Sequence, residues 1–408
     1  MRSKRFLSGR RLTRRFSFLL PLAACLSLFA SRPAQAQTYK VLHSFKGPTN
    51  DGKGPSAIVL EADGTFYGTA CYGGRSYNGT VFRLSPTDKE TILYNFLGGY
   101  GSCPDSLLAW NGAFYGTTAN GGAYGGGAMF RLDTKGNEVV LYSFPAPRAS
   151  SPVLSFVDRQ GTFYGTTSWG GANSRGSIFK IDTTGKESDL YSFTGGTGGQ
   201  NPGLGLARDE DGNLYGTFTL GGDSNCFCGA VFKLNTAGTL TILHTFTGGT
   251  DGATPYGGVI RDSSGNLYGT TDAGGGHGCA PSGCGTVFVV DPSGKEKVLY
   301  SFSGSPDGAS PDANLVRDEA GNLYGTTSQG GDAQCRVSNY GCGIVFKLDT
   351  AGTETVLHTF SSRDGAFPQQ LILSTDGNLY GTTFAGGNGV CTTNNQWMGC
   401  GTLFKLTP

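Results

Sequence analysis

The sequence contains no window in which apolar residues recur at the three-and-four spacing of an amphipathic helix, which argues against helical and mixed architectures. After residue 36 it has no long apolar run, so no transmembrane segment is predicted. It also lacks basic charge where nucleic acid would require it. Eight of its 31 basic residues (Arg2, Lys4, Arg5, Arg10, Arg11, Arg14, Arg15 and Arg32) fall in the first 36 positions, which hold no acidic residue. Removing those eight leaves 23 basic against 30 acidic residues, a net charge of −7. A mildly acidic chain has no long-range attraction for nucleic acid or anionic lipid. No nucleophile elbow, phosphate-binding glycine loop or His-Glu metal pair is present.

What is present begins with a leader. The basic cluster is followed by an apolar run over residues 16–30 and by Ala34-Gln35-Ala36, the anatomy of a secretory signal peptide cleaved after Ala36. Leu22-Ala23-Ala24-Cys25 also fits a lipoprotein box with a lipid anchor on Cys25. The apolar run continues past that cysteine through Leu26 and Phe29, which favours release over anchoring. Arg14-Arg15 suggests twin-arginine export only weakly, because Ser17 stands where that signal prefers an apolar residue. The expected location is secreted or periplasmic.

Glycine is abundant, 69 of 408 residues, and it recurs at fixed places between aromatic and β-branched runs. The tyrosine of a Tyr-Gly-Thr core falls at Tyr67, Tyr115, Tyr164, Tyr215, Tyr268, Tyr324 and Tyr380, at spacings of 48, 49, 51, 53, 56 and 56 residues. Each period reads as four short strands, A to D, with tight Gly-bearing turns such as Asp262-Ser263-Ser264-Gly265 (A–B) and Asp291-Pro292-Ser293-Gly294 (C–D). Four antiparallel strands in about fifty residues make a propeller blade. The last period stops after strand C, and Tyr39-Lys40-Val41-Leu42-His43-Ser44-Phe45 is an orphan strand D at the other end. Matching halves predict closure of the ring, which removes an exposed sheet edge. The predicted fold is an all-β, seven-bladed β-propeller over residues 37–408, its last blade closed by the N-terminal strand. The phenylalanines at 82, 130, 179, 232, 288, 346 and 404 are expected core, and the mid-strand glycines are expected to relieve crowding between neighbouring blades.

The unit Asn-Leu-Tyr-Gly-Thr-Thr, Gly-Gly, Cys-Gly-Thr-Val-Phe-Lys-Leu, Leu-Tyr-Ser-Phe resembles the GloVer tandem repeat of exported bacterial proteins, over residues 38–408. Its phasing is distantly similar to NHL-type propeller repeats. The resemblance implies an exported repeat protein, often surface-associated, without an assigned chemistry. The sequence shows no C-terminal anchor before Pro408, a departure from that pattern.

In an up-and-down blade the B–C and D–A connections share one face. Between the Gly-Gly pair and the glycine opening strand C, the loops of blades 1 to 7 run 4, 4, 4, 6, 9, 11 and 13 residues, so elaboration concentrates on blades 4 to 7. Cysteine follows it. Pairs Cys226 and Cys228, Cys279 and Cys284, Cys335 and Cys342, and Cys391 and Cys400 are expected to staple their loops, although the Cys226–Cys228 ring is very small. Cys71 and Cys103 are expected to bridge adjacent blades. Zinc is disfavoured at these cysteines, because exported thiols oxidise and no histidine is spaced to join them.

Asp51, Asp251, Asp307 and Asp364 each stand in an Asp-Gly pair ahead of strand A in blades 1, 5, 6 and 7. Turn chemistry explains them; an acidic sector binding calcium or sugar hydroxyls is the sharper alternative. Trp397, Tyr340 and Phe227 in stapled loops, and Trp169 beside a Gly-Gly pair, are candidate stacking surfaces. His43, His244 and His358 replace a strand D tyrosine and do not read as a site; His277 is alone in a loop. Asp209-Glu210-Asp211-Gly212-Asn213 mimics a calcium loop but reads as a hairpin turn. The expected function is a non-catalytic, monomeric binding protein for a glycan or an extracellular protein. A polysaccharide hydrolase or lyase using carboxylates of the loop face, and a structural envelope or matrix protein, are the alternatives.

Overall fold

A computed structural model describes residues 37–47, 51–87, 89–99, 101–145, 151–276, 278, 279, 281–393 and 396–408, the side chains of 393, 396 and 397 excepted. The leader, with Cys25 and Ala36, and His277 lie outside the described residues. The chain is a seven-bladed β-propeller of antiparallel blades, as the repeat predicted. Blade 1 is Gly52–Leu60, Phe66–Gly73, Thr80–Leu84 and Glu90–Asn95, paired in that order. Blade 5 pairs Ile260–Arg261, Leu267–Thr271, Thr286–Val290 and Glu296–Ser301. Blade 6 pairs Val316–Arg317, Leu323–Thr327, Ile344–Leu348 and Glu354–Thr359. In blade 4 the innermost strand is split into Gln200–Pro202 and Ala207–Arg208. The closing blade runs Ala366–Leu373, Leu379–Ala385, Thr402–Thr407 and then the N-terminal strand Thr38–Ser44. Thr38 faces Thr407 and Ser44 faces Thr402, so the two ends share one blade.

The blades are held face to face by phenylalanine. Each strand C phenylalanine is buried, and so is the phenylalanine just after strand D of the preceding blade. Phe45 meets Phe82, Phe246 meets Phe288, Phe302 meets Phe346 and Phe360 meets Phe404, all edge-on with centroids 5.0–5.3 Å apart. The edge-to-face arrangement sets the positive ring edge against the negative face, about 0.5–1.5 kcal/mol beyond area burial.

The mid-strand glycines answer to a different crowding from the one expected. A Cβ on Gly325 would lie 2.5 Å from Cζ of Phe346, its cross-strand partner in the same blade. The ring lies across the glycine, so the space is filled from within the blade, not by its neighbour. Between blades the contact is made by a proline. Gly285, opening strand C of blade 5, has φ +93°, and a Cβ there would stand 2.6 Å from Cδ of Pro311 in blade 6.

The residue before each such proline takes a left-handed φ: Cys103, Ser151, Asn201, Thr254, Ser310 and Phe367 lie between 41° and 55°, and Gly54 is at 65°. That region is costly before proline, about 1–3 kcal/mol. The conformation turns the backbone N–H to the previous blade: Ser310 N donates to the Cys284 carbonyl at 2.9 Å, Phe367 N to that of Cys342 at 3.0 Å and Gly54 N to that of Cys400 at 2.9 Å. Threonine hydroxyls add to the seams. Thr326 Oγ1 donates to the Gln369 carbonyl at 3.1 Å and Thr382 Oγ1 to that of Ser56 at 2.9 Å.

Candidate functional site

The long loops emerge on one face, where four of the five disulfides fix them. Cys71–Cys103 joins strand Phe66–Gly73 of blade 1 to Ser102–Trp110, the inner strand of blade 2; both cysteines lie within strands. Cys226–Cys228, Cys279–Cys284, Cys335–Cys342 and Cys391–Cys400 close the loops of blades 4 to 7. The second cysteine of each also carries the carbonyl that accepts the seam hydrogen bond from the next blade. Each staple therefore holds its loop at the point where two blades meet.

Between blades 5 and 6 these loops enclose a cleft of about 430 Å³. Asp272, Ser303, Ser305, Ser310, Gln329 and Tyr340 line it. Tyr340 stands on the rim, 73% exposed, and its backbone is anchored at both polar groups: Gly330 N donates to its carbonyl at 2.7 Å, and its own N donates to Ser338 Oγ at 3.0 Å. Cys279 is in the wall, so one disulfide borders the opening.

The inner strands carry a second group of polar side chains toward the axis. The residue after the repeated proline is Asp105 in blade 2, Tyr256 in blade 5 and Asp312 in blade 6. Burial raises the Tyr256 phenol, and the charges of Asp105, Asp312 and Asp272 raise it further. Groups from blades 2, 5 and 6 act on one another only where the blades converge. Burial raises Asp105. Asp272 is also raised by burial, against a hydrogen bond from Ser310. The Asp312 carboxyl is pushed up to about 7, by burial first and by the Asp272 charge second. Asp272 belongs both to the cleft and to this axial group, so the two adjoin. Two residues past Tyr256 the inner strands of neighbouring blades touch, since a Cβ on Gly258 would lie 2.3 Å from the Gly205 carbonyl of blade 4. Sequence reasoning missed these carboxylates; the available signal was the repeated proline at the start of strand A, directly ahead of Asp105, Tyr256 and Asp312.

Each of the four Asp-Gly aspartates has hydrogen-bond partners of its own. Each sits in its own blade seam and caps its own loop. Asp251 accepts from Thr247 N and Oγ1, Asp307 from Ser303 N and Oγ, and Asp364 from Ser361 N and Oγ, at 2.6–2.9 Å. Asp51 accepts from Lys46 N at 2.7 Å. Each also faces the aromatic or histidine of the preceding strand D: His43 Nε2 at 3.6 Å from Asp51, His244 Nε2 at 3.5 Å from Asp251, the Tyr300 hydroxyl at 3.1 Å from Asp307 and His358 Nε2 at 3.1 Å from Asp364. The histidines and aspartates that the sequence treated separately are thus partners. Phe227 is 47% exposed on its loop, Trp169 is half-buried, and the Trp397 side chain lies outside the described residues. Asp209 caps its turn, accepting from Asn213 N at 2.8 Å and the Tyr215 hydroxyl at 2.9 Å, as a hairpin requires.

Among the described residues no helix is long and apolar enough to cross a membrane. Two solved structures share the fold at TM-score 0.54 and 9% identity: the extracellular domains of proteins named as a one component system and a hybrid two component system of B. thetaiotaomicron. In each the match covers 90% of this chain and 40% of the other. A protein of Thermus thermophilus named as an oxidoreductase (glucose dehydrogenase) aligns over 91% of this chain and 99% of its own at 16% identity and TM-score 0.44. No curated protein matches the chain in sequence. The Gloeobacter/Verrucomicrobia repeat matches over residues 105–338 and 282–408, and the chain belongs to that family.

Proposed function

We propose that this propeller is exported and binds a carbohydrate in the cleft between blades 5 and 6. The observation that carries this reading is the cleft itself: serine hydroxyls, a glutamine amide and a carboxylate line it, and a backbone-anchored tyrosine stands on the rim. Sugars present hydroxyls to such groups and an apolar ring face to an aromatic. Five disulfides support export, since they persist in oxidising compartments. Binding needs little rearrangement, because the walls are already tied to the blade seams. The test is a glycan array followed by calorimetry on wild type, Tyr340→Ala and Asp272→Asn. We expect binding that weakens about 10-fold or more in each variant. A ligand held equally by all three proteins would remove this cleft as the site, and capture of an extracellular protein instead would replace the ligand class.

One observation favours turnover of the bound saccharide. Asp312, pushed up to about 7 by burial and then by the Asp272 charge, is poised to carry a proton near neutral pH, the property a general acid requires. Release of reducing ends or unsaturated products by wild type but not by Asp312→Asn would establish this reading. Binding without product supports the non-catalytic one.

A further inference from the structure

We infer that His43, Asp51 and Glu90 form a binding site for a divalent transition-metal ion, of the zinc or cobalt type, at the seam where the ring closes. His43 comes from the N-terminal strand that completes the last blade, Asp51 from the connection into blade 1, and Glu90 opens the outer strand of blade 1. His43 Nε2 lies 3.6 Å from Asp51 Oδ2 and 3.9 Å from Glu90 Oε2. One ligand atom from each lies within 4.8 Å of the others. Two atoms bound to one zinc ion at about 2.1 Å can be separated by up to roughly 4.2 Å, so a small contraction brings the set onto an ion. The side chains are only 15%, 8% and 13% exposed.

Two atoms of the cluster lack a hydrogen bond within the protein. His43 Nε2 and Glu90 Oε1 are cut off from solvent and have no hydrogen-bond partner. Buried polar atoms in that state cost about 1–3 kcal/mol each. His244 Nε2 and Glu296 Oε1 at the seam of blades 4 and 5 are orphaned in the same way, whereas two other seams satisfy this position within the protein. There a strand D tyrosine donates its hydroxyl to the glutamate of the next blade, Tyr94 to Glu138 and Tyr142 to Glu187, both at 3.2 Å. At the closing seam histidine replaces that tyrosine and an aspartate is added, which removes the donor and sets two carboxyls against one imidazole. A cation answers all three groups.

The chemistry selects the ion. An imidazole nitrogen with two carboxylates suits zinc, cobalt and their neighbours, whereas calcium and magnesium take oxygen. The Lys46 amide donates to Asp51 Oδ2 at 2.7 Å and the Gly52 amide to Oδ1 at 2.6 Å, so that ligand is already oriented. His244, Asp251 and Glu296 occupy the corresponding places at the seam of blades 4 and 5. Among the described residues, however, only the His43 cluster brings three such atoms together.

The test uses the full oxidised chain, freed of metal by a chelator and titrated with cobalt chloride or zinc chloride. We expect one cobalt per chain, seen by its visible absorption and displaced by zinc, and a thermal midpoint that climbs with the logarithm of free zinc but not of calcium. His43→Tyr, which installs the residue of the neighbouring seams, and Glu90→Gln should each weaken binding by more than about 100-fold. His244→Tyr should leave it unchanged. The inference fails with an absent cobalt spectrum, with a spectrum that survives in both His43→Tyr and Glu90→Gln, or with equal loss in His244→Tyr. Glu90→Gln keeps the test decisive should the tyrosine variant not fold.

Discussion

At the scale of single residues, the repeated letters act through contacts with different partners. Thr326 donates its hydroxyl across a seam, and Thr326→Val keeps the volume while leaving the Gln369 carbonyl without that donor. The expected loss is about 1 kcal/mol, read as a lower urea midpoint with an unchanged slope. Phe346→Ala removes a ring from two places at once, its edge-on contact with Phe302 and its cover over Gly325, and should cost about 3–5 kcal/mol. The phenylalanine position was legible in the sequence because one letter returns at one place in every period. The role of the glycine was only half legible. Its fixed place signalled close approach, but which group approaches depends on the cross-strand register of Gly325 with Phe346, and spacing along the chain does not carry register.

At the scale of strands and loops, the seams between blades 4, 5 and 6 carry half-buried carboxyls that set a pH response. Glu296 is pushed up to about 7 by burial and then by the Asp251 charge, and Glu354 to about 7 by burial and then by Asp307. Both begin from an ordinary value of 4.5, so between the two values the folded chain holds protons that the unfolded chain has released. Their stabilising contribution is complete below about pH 4.5 and is lost as pH rises through about 7. The thermal midpoint should therefore fall between about pH 5 and pH 8, and Glu296→Gln with Glu354→Gln should flatten that slope. An unchanged slope in the double variant would dismiss these two groups as its source. Such pairings were hidden in the sequence for a physical reason. The aspartates follow their strand D histidine or tyrosine by six to eight residues, which was readable, but the glutamate arrives from the next blade, about fifty residues on. The axial carboxylates were hidden in the same way, since Asp105 and Tyr256 become neighbours only when the ring is closed.

At the scale of the whole molecule, the sequence was explicit about architecture because a period of about fifty residues with four strand-like runs admits few folds, and the split last blade removed the open alternatives. It was far less explicit about the site, because the cleft is bounded by loops whose letters are not repeated. Pairing of the two ends has a further consequence. Thr38 and Thr407 stand opposite one another as Lys295 and Asp291 do beside the C–D turn of blade 5, where residues 292–294 suffice as the connection. Genetic order and spatial order are therefore separable. A gene in which a three-residue turn links position 407 to position 38, with new termini cut into the C–D turn of blade 3, should fold to the same ring with all five disulfides, checked by circular dichroism and disulfide mapping. The polypeptide is linear, but its fold has no obligatory first blade.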